Sequence, residues 1–171
     1  DPFRKVEIRS DGLYMFGADE FDTSLIVQSN GDIRGFGQLT MGENSSDAEQ
    51  TTVLGFENTA SGDSATVGGG SSNEASGESS VISGGYDNSA SGIGSTVGGG
   101  SSNDVSGDYA TIAGGLDNSA AGDFAIIPGG LSNVADGNYS FTAGRRAMSL
   151  FDGSFVWADN TDQDFAATDS N

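Results

Sequence analysis

The chain has 171 residues, with 28 glycines, two prolines, no cysteine and no histidine, and a net charge of −19 from 25 acids against six bases. That composition excludes disulfides, cysteine nucleophiles, thiolate or imidazole metal sites and histidine-containing triads. So acidic a chain would be repelled by nucleic acid and by anionic membranes, and no run of about 18 apolar residues suggests a membrane helix. No signal peptide is visible. The first residue is Asp1 rather than Met, so we expect a mature form or a fragment of something longer.

Residues 1–46 read as a β-rich shaft or adaptor. Val6-Glu7-Ile8, a turn at Ser10-Asp11-Gly12 and Leu13-Tyr14-Met15-Phe16 predict one hairpin. Leu25-Ile26-Val27, then Ser29-Asn30-Gly31-Asp32, then Ile33-Arg34-Gly35-Phe36-Gly37 predict a second. Gln38-Leu39-Thr40-Met41-Gly42 leads into the next region.

Residues 47–144 are a tandem repeat of period 15. Asn58, Asn73, Asn88, Asn103, Asn118 and Asn133 share one column. Gly55 to Gly130 and Gly62 to Gly137 recur at the same interval, three residues before and four after each Asn. Six before each Asn come Thr52, Val67, Ile82, Val97, Ile112 and Ile127, and two residues earlier a small residue (Ala65, Ser80, Ser95, Ala110, Ala125). That pair predicts a short β-strand with its inner side in a core. Between them Thr66, Val81, Thr96, Thr111 and Ile126 leave the outer side uncharged as well. A strand uncharged on both faces is usually covered on both, and identical chains are the simplest cover. Glycines provide the left-handed turns. Ala60, Ala75, Ala90, Ala120 and Ala135, with Val105 in the same column, fill a narrow interior.

The expected fold is therefore all-β: a parallel β-roll, or β-solenoid, of 15-residue coils stacked at about 4.8 Å. Six coils give a rod on the order of 30 Å long. The Asn column is expected to form a structural amide ladder along it. Acids alternate sides of that column, with Glu57, Asp87 and Asp117 before it and Glu74 and Asp104 after it, which keeps like charges off adjacent coils. Six after the Asn, Tyr109, Phe124 and Tyr139 form an aromatic column, a candidate surface for a glycan or protein receptor. Phe56 and Tyr86 make a sparser one.

Residues 145–171 should close the roll with a capping strand and a polar tail that frays from Asp162 onward. Gly144-Arg145-Arg146-Ala147 takes the place of the next repeat, and the two arginines are expected to neutralise acids there. Acid pairs stacked one coil apart, Asp63 with Glu78 and Asp108 with Asp123, could in principle do glycosidase chemistry. They lie in turns of a regular rod, so no enzyme and no cofactor are expected. Surface cations such as Ca²⁺ would be attracted without a dedicated metal site. The threonines Thr66, Thr96 and Thr111 suggest an ice-binding ladder, but Val81 and Ile126 interrupt it.

The repeat Ala-Thr-Val-Gly-Gly-Gly-Ser-Ser-Asn-Glu-Ala-Ser-Gly-Glu (65–78) and its relatives resemble the head repeats of YadA-like (Hep/Hag) trimeric autotransporter adhesins and the repeats of phage tail fibres. The stretch 29–42 is similar to segments upstream of such repeats in phage fibres, and Phe155-Val156-Trp157-Ala158-Asp159 resembles a segment that follows them. The resemblance implies a left-handed roll in an intertwined homotrimer. It also implies an extracellular place, on a cell surface or a virion or tail fibre, and attachment to a host or surface.

Overall fold

The computed structural model describes residues 51–160 and 163–167 in full and, between residues 5 and 46, the backbone of the strands Lys5–Arg9, Gly12–Phe16, Ile26–Gln28, Ile33–Arg34, Leu39–Met41 and Ser45–Ser46. Both N-terminal hairpin expectations hold in the backbone. Lys5–Arg9 runs antiparallel to Gly12–Phe16, and Ile26–Gln28 antiparallel to Ile33–Arg34. Of the loops expected between them, Ser10, Asp11 and residues 29–32 lie outside the described residues, as do Leu25, Gly35, Phe36, Gly37, Gln38 and Gly42.

From residue 39 the chain is a solenoid of about eight stacked parallel coils. Each regular coil contributes two strands of two residues, such as Thr66–Val67 and Glu74–Ala75. The first kind stacks into what we call the valine sheet, with Val53, Val67, Ile82, Val97, Ile112 and Ile127 fully buried. The second stacks into the alanine sheet, where Ala60, Ala75, Ala90, Val105, Ala120 and Ala135 are equally buried. Ala65, Ser80, Ser95, Ala110 and Ala125 complete the core. On a third side single bridges connect Phe56, Ser71, Tyr86, Ser101, Leu116 and Leu131.

Parallel pairing also continues outside residues 47–144. Leu39–Met41 pairs with Thr52–Leu54, Phe141–Arg145 with Phe155–Trp157, and Ala147–Ser149 with Phe165–Ala166. Phe165–Ala166 is therefore paired within the stretch expected to fray from Asp162, while Asp162 itself and residues 168–171 lie outside the described residues. The open edge of Ala147–Ser149 supplies hydrogen bonds that hold Phe165 and Ala167, through Phe165 N to Arg146 O at 2.9 Å and Ala167 N to Met148 O at 3.1 Å.

The register needs a correction. Thr52 pairs with Thr66 and Val53 with Val67, an interval of 14 rather than 15, so Val53 and not Thr52 fills the core. The missing residue lies in one turn: Val53-Leu54-Gly55 does the work of Val67-Gly68-Gly69-Gly70. The same turn is shortened at the other end, where Gly130 pairs with Gly144.

A second correction concerns the glycines. The column through Gly100 does use the left-handed region, with φ of 89° at that residue. The column through Gly107 does not. A Cβ built on Gly107 would overlap the Gly122 carbonyl oxygen of the next coil. This glycine is needed for close approach of neighbouring backbones.

Gly107→Ala should cost more than about 3 kcal/mol. At Gly84 the nearest atom to an added Cβ is 3.8 Å away, so Gly84→Ala should stay within about 0.5 kcal/mol of wild type in urea unfolding. Ser95 buries a hydroxyl with no hydrogen-bond partner where other coils carry alanine. Ser95→Ala should therefore raise stability by about 1 kcal/mol, read as a higher melting temperature.

Candidate functional site: the side-chain ladders and the aromatic column

The Asn column is internal. Asn103 donates from Nδ2 to Asn88 Oδ1 at 3.1 Å, and its backbone N–H reaches the same oxygen at 3.1 Å. Its Nδ2 also meets Gly99 O at 3.0 Å and Gly115 O at 3.1 Å, so the amide ties three coils together. The pattern repeats from Asn58 to Asn133, all of them buried. It ends where Ala147 takes the Asn place and donates only its backbone N–H to Asn133 Oδ1, at 3.0 Å. With every face enclosed, these six asparagines hold the rod and cannot bind a ligand.

The alternating acids lie outside that ladder. Two unit charges one coil apart would repel by about 1 kcal/mol in water. Two coils apart, at roughly 10 Å, they are separated by about a Debye length. Serine fills the gaps, and Ser132 Oγ donates to Asp117 Oδ2 at 3.0 Å.

A second side-chain ladder escaped the sequence reading. Asp108 Oδ1 accepts the N–H of Ile93 at 2.9 Å, and Asp123 Oδ1 accepts that of Asp108 at 3.0 Å. Asn138 Oδ1 then accepts from Asp123 N at 2.8 Å, and Asp152 Oδ1 from Asn138 N at 2.9 Å. Asp108 and Asp123 do stack as expected, but as caps on turn N–H groups of the preceding coil. The signal was present, since Asp, Asp, Asn and Asp share one column.

The aromatic column stands beside these caps. Tyr109 follows Asp108 in the turn 107–110, closed by Ala110 N to Gly107 O at 3.3 Å. It occupies the turn position that usually needs glycine or asparagine. Tyr109, Phe124 and Tyr139 all have left-handed backbones, with φ of 56°, 58° and 57°. Such a conformation is a true outlier for a bulky residue, at about 1–2 kcal/mol each. Ser64, Ser79, Gly94 and Gly153 occupy the same place in other coils. The rings lie stacked, Tyr109 on Phe124 at 5.4 Å and 12°, Phe124 on Tyr139 at 5.0 Å and 1°. Their exposures are 57%, 45% and 69%.

A second apolar group covers the outer side of the valine sheet. Thr66, Val81, Thr96 and Thr111 are half-buried there. Toward the C-terminal end the column turns to Ile126, 45% exposed, Phe141 and then Phe155, 69% exposed. Phe141 and Phe155 stack at 4.8 Å, and Trp157 beside them is 66% exposed. Phe56 and Tyr86 are exposed on the third side, separated by Ser71.

Of the two arginines, Arg146 is seen to meet an acid, and Arg145 donates to a backbone carbonyl. Arg146 Nε bonds Asp164 Oδ1 at 2.7 Å, and Arg145 Nη1 reaches Asn160 O at 3.4 Å. Among the described residues no group of three or more acids is placed to hold a metal ion, and no helix is long and apolar enough to cross a membrane. No family model matches the chain, and no characterised protein matches it in sequence.

Removing one amide tests the ladder. Asn103→Ala leaves the buried N–H of Asn118 without its acceptor and should lower the unfolding free energy by about 3 kcal/mol. Asn103→Asp keeps the acceptor but sets a carboxylate against the Gly99 and Gly115 carbonyls, and should cost at least as much. The urea midpoint reads both, and an unchanged midpoint for either would contradict the role given to this column.

Proposed function

We propose that the chain is a structural and adhesive segment of a trimeric extracellular fibre that attaches to a host or another surface. The observation that carries this reading is the outer side of the valine sheet. It is uncharged over its described length and ends in Ile126, Phe141, Phe155 and Trp157. A sheet side of that kind is normally covered, and a large exposed apolar patch marks an interaction surface. In a parallel assembly about a threefold axis each chain presents the same residue at the same height, so Phe155 of each copy reaches the axis level together. The chain charge of −19 opposes casual association and favours contact through this uncharged strip.

The likeness of residues 65–78 to adhesin-head and tail-fibre repeats agrees with a left-handed roll and an extracellular place. The work done is mechanical and adhesive. A rod of interlocked coils sets a rigid spacing, and the exposed aromatics meet a glycan or protein receptor.

Light scattering on the purified protein should give three times the chain mass of 17.3 kDa. Ile126→Asp, on the outer side only, should shift the mass to that of the monomer while the coil remains folded by circular dichroism. A wild-type protein that stays folded and monomeric at all concentrations would overturn the trimer.

A further inference from the structure

We propose that the C-terminal side of the Tyr139 ring, with Asn138 and Asp152 at its edge, is a subsite for one pyranose ring of an uncharged glycan. This deepens the attachment function proposed above and rests on it.

The aromatic column cannot act as an extended platform, because its rings already occupy one another's faces. Parallel rings 5.0 Å and 5.4 Å apart leave no space for a third group between them. The N-terminal end of the stack is closed too. A Cβ on Gly94 would lie 2.9 Å from Tyr109 Cδ1, so the Tyr109 ring rests on the Gly94 backbone. The ring therefore leans toward the preceding coil, and the parallel stack gives Phe124 and Tyr139 the same lean. At the other end the following coil presents Gly153, where an added Cβ meets nothing within 4 Å. Among the described residues nothing covers the C-terminal ring face of Tyr139, the most exposed member of the column.

The polar groups at this edge are fixed. The carboxylate of Asp152 accepts the Asn138 N–H through Oδ1 at 2.9 Å, one residue from Tyr139, and Asp152 is exposed. Asn138 accepts the Asp123 N–H through its own Oδ1 at 2.8 Å, and that bond does not engage its amide nitrogen. An open aromatic face with a carboxylate and an amide beside it matches a pyranose, which has an apolar C–H face and a rim of hydroxyls. The neighbouring carboxylates Asp123 and Asp152 select against sialic and uronic acids. The left-handed backbone carries an aromatic here, where other coils place Ser64, Ser79, Gly94 or Gly153.

The test is a glycan array of neutral, N-acetylated and sialylated oligosaccharides. It is probed with the assembled wild-type protein and with Tyr139→Gly and Tyr109→Gly. Glycine already occupies this position at Gly94 and Gly153, so both variants should fold, and the urea midpoint checks this. Wild type should bind neutral or N-acetylated glycans. Tyr139→Gly should weaken binding by about tenfold or more, and Tyr109→Gly by less than about twofold. Equal binding by Tyr139→Gly and wild type, equal losses in both variants, a preference for sialylated glycans, or no binding at all would each overturn the subsite. The mass of the assembly is read separately. A trimer with no response at Tyr139 refutes the subsite and leaves the fibre reading standing, whereas a monomer refutes the fibre reading whatever the array shows.

Discussion

In the regular part of this rod the ladder hydrogen bonds run from one coil to the next. Thr66 N reaches Ser80 O, Gly68 N reaches Ile82 O, and Ser76 N reaches Ala90 O, each at 2.8–2.9 Å. Coil spacing is therefore fixed by backbone geometry before any side chain is placed, and every column has to fit within it. Side chains that stack well at that spacing can repeat indefinitely, as the buried asparagines do. The acids beside the Asn column are diluted by alternation, whereas Asp108 and Asp123 stack directly because each caps an N–H of the coil below. A solenoid of this kind has only nearest-neighbour contacts, so its stability grows coil by coil.

The same spacing explains two unusual uses of residue types. Glycine at Gly107 and its equivalents serves close approach and not turn geometry, because a methyl group would strike the next carbonyl. Left-handed backbone, ordinarily left to glycine, is assigned to Ser79, Asp87, Tyr109 and others. Tight hydrogen bonding on both sides holds these residues in place. Tyr109 N, for example, donates to Ile93 O at 2.8 Å, so the coil below overdetermines a conformation the residue would not choose alone.

Much of this was legible in the sequence, because a strict period turns a one-dimensional pattern into columns. Asn58 to Asn133 could be assigned to an internal ladder, and Ala60 to Ala135 to the core, from spacing and size alone. The slip at Val53 was hidden, since Gly55 and Asn58 keep their places and Thr52 is itself β-branched. The capping by Asp108, Asp123 and Asp152 was hidden by chemistry: a carboxylate in a polar turn reads as surface charge until the N–H of the coil below is seen beside it. The aromatic column could be named, but not its closure. Which ring faces are covered depends on the lean imposed by the left-handed backbone, and no spacing rule carries that. Phe165 was obscured by the polar residues around it.

The hydrogen bonds of the stack point along the axis of the rod, and this sets how it behaves under load. Tension on the ends of one chain is met by one coil's bonds at a time, as in a zipper, and not by the whole sheet in shear. A released coil of about 15 residues converts a rise of roughly 5 Å into some 50 Å of extended chain. A solenoid built this way is stiff up to a threshold force and then lengthens stepwise from its ends. Each step exposes one more asparagine to water, and each is reversed when the coil below offers its oxygen again.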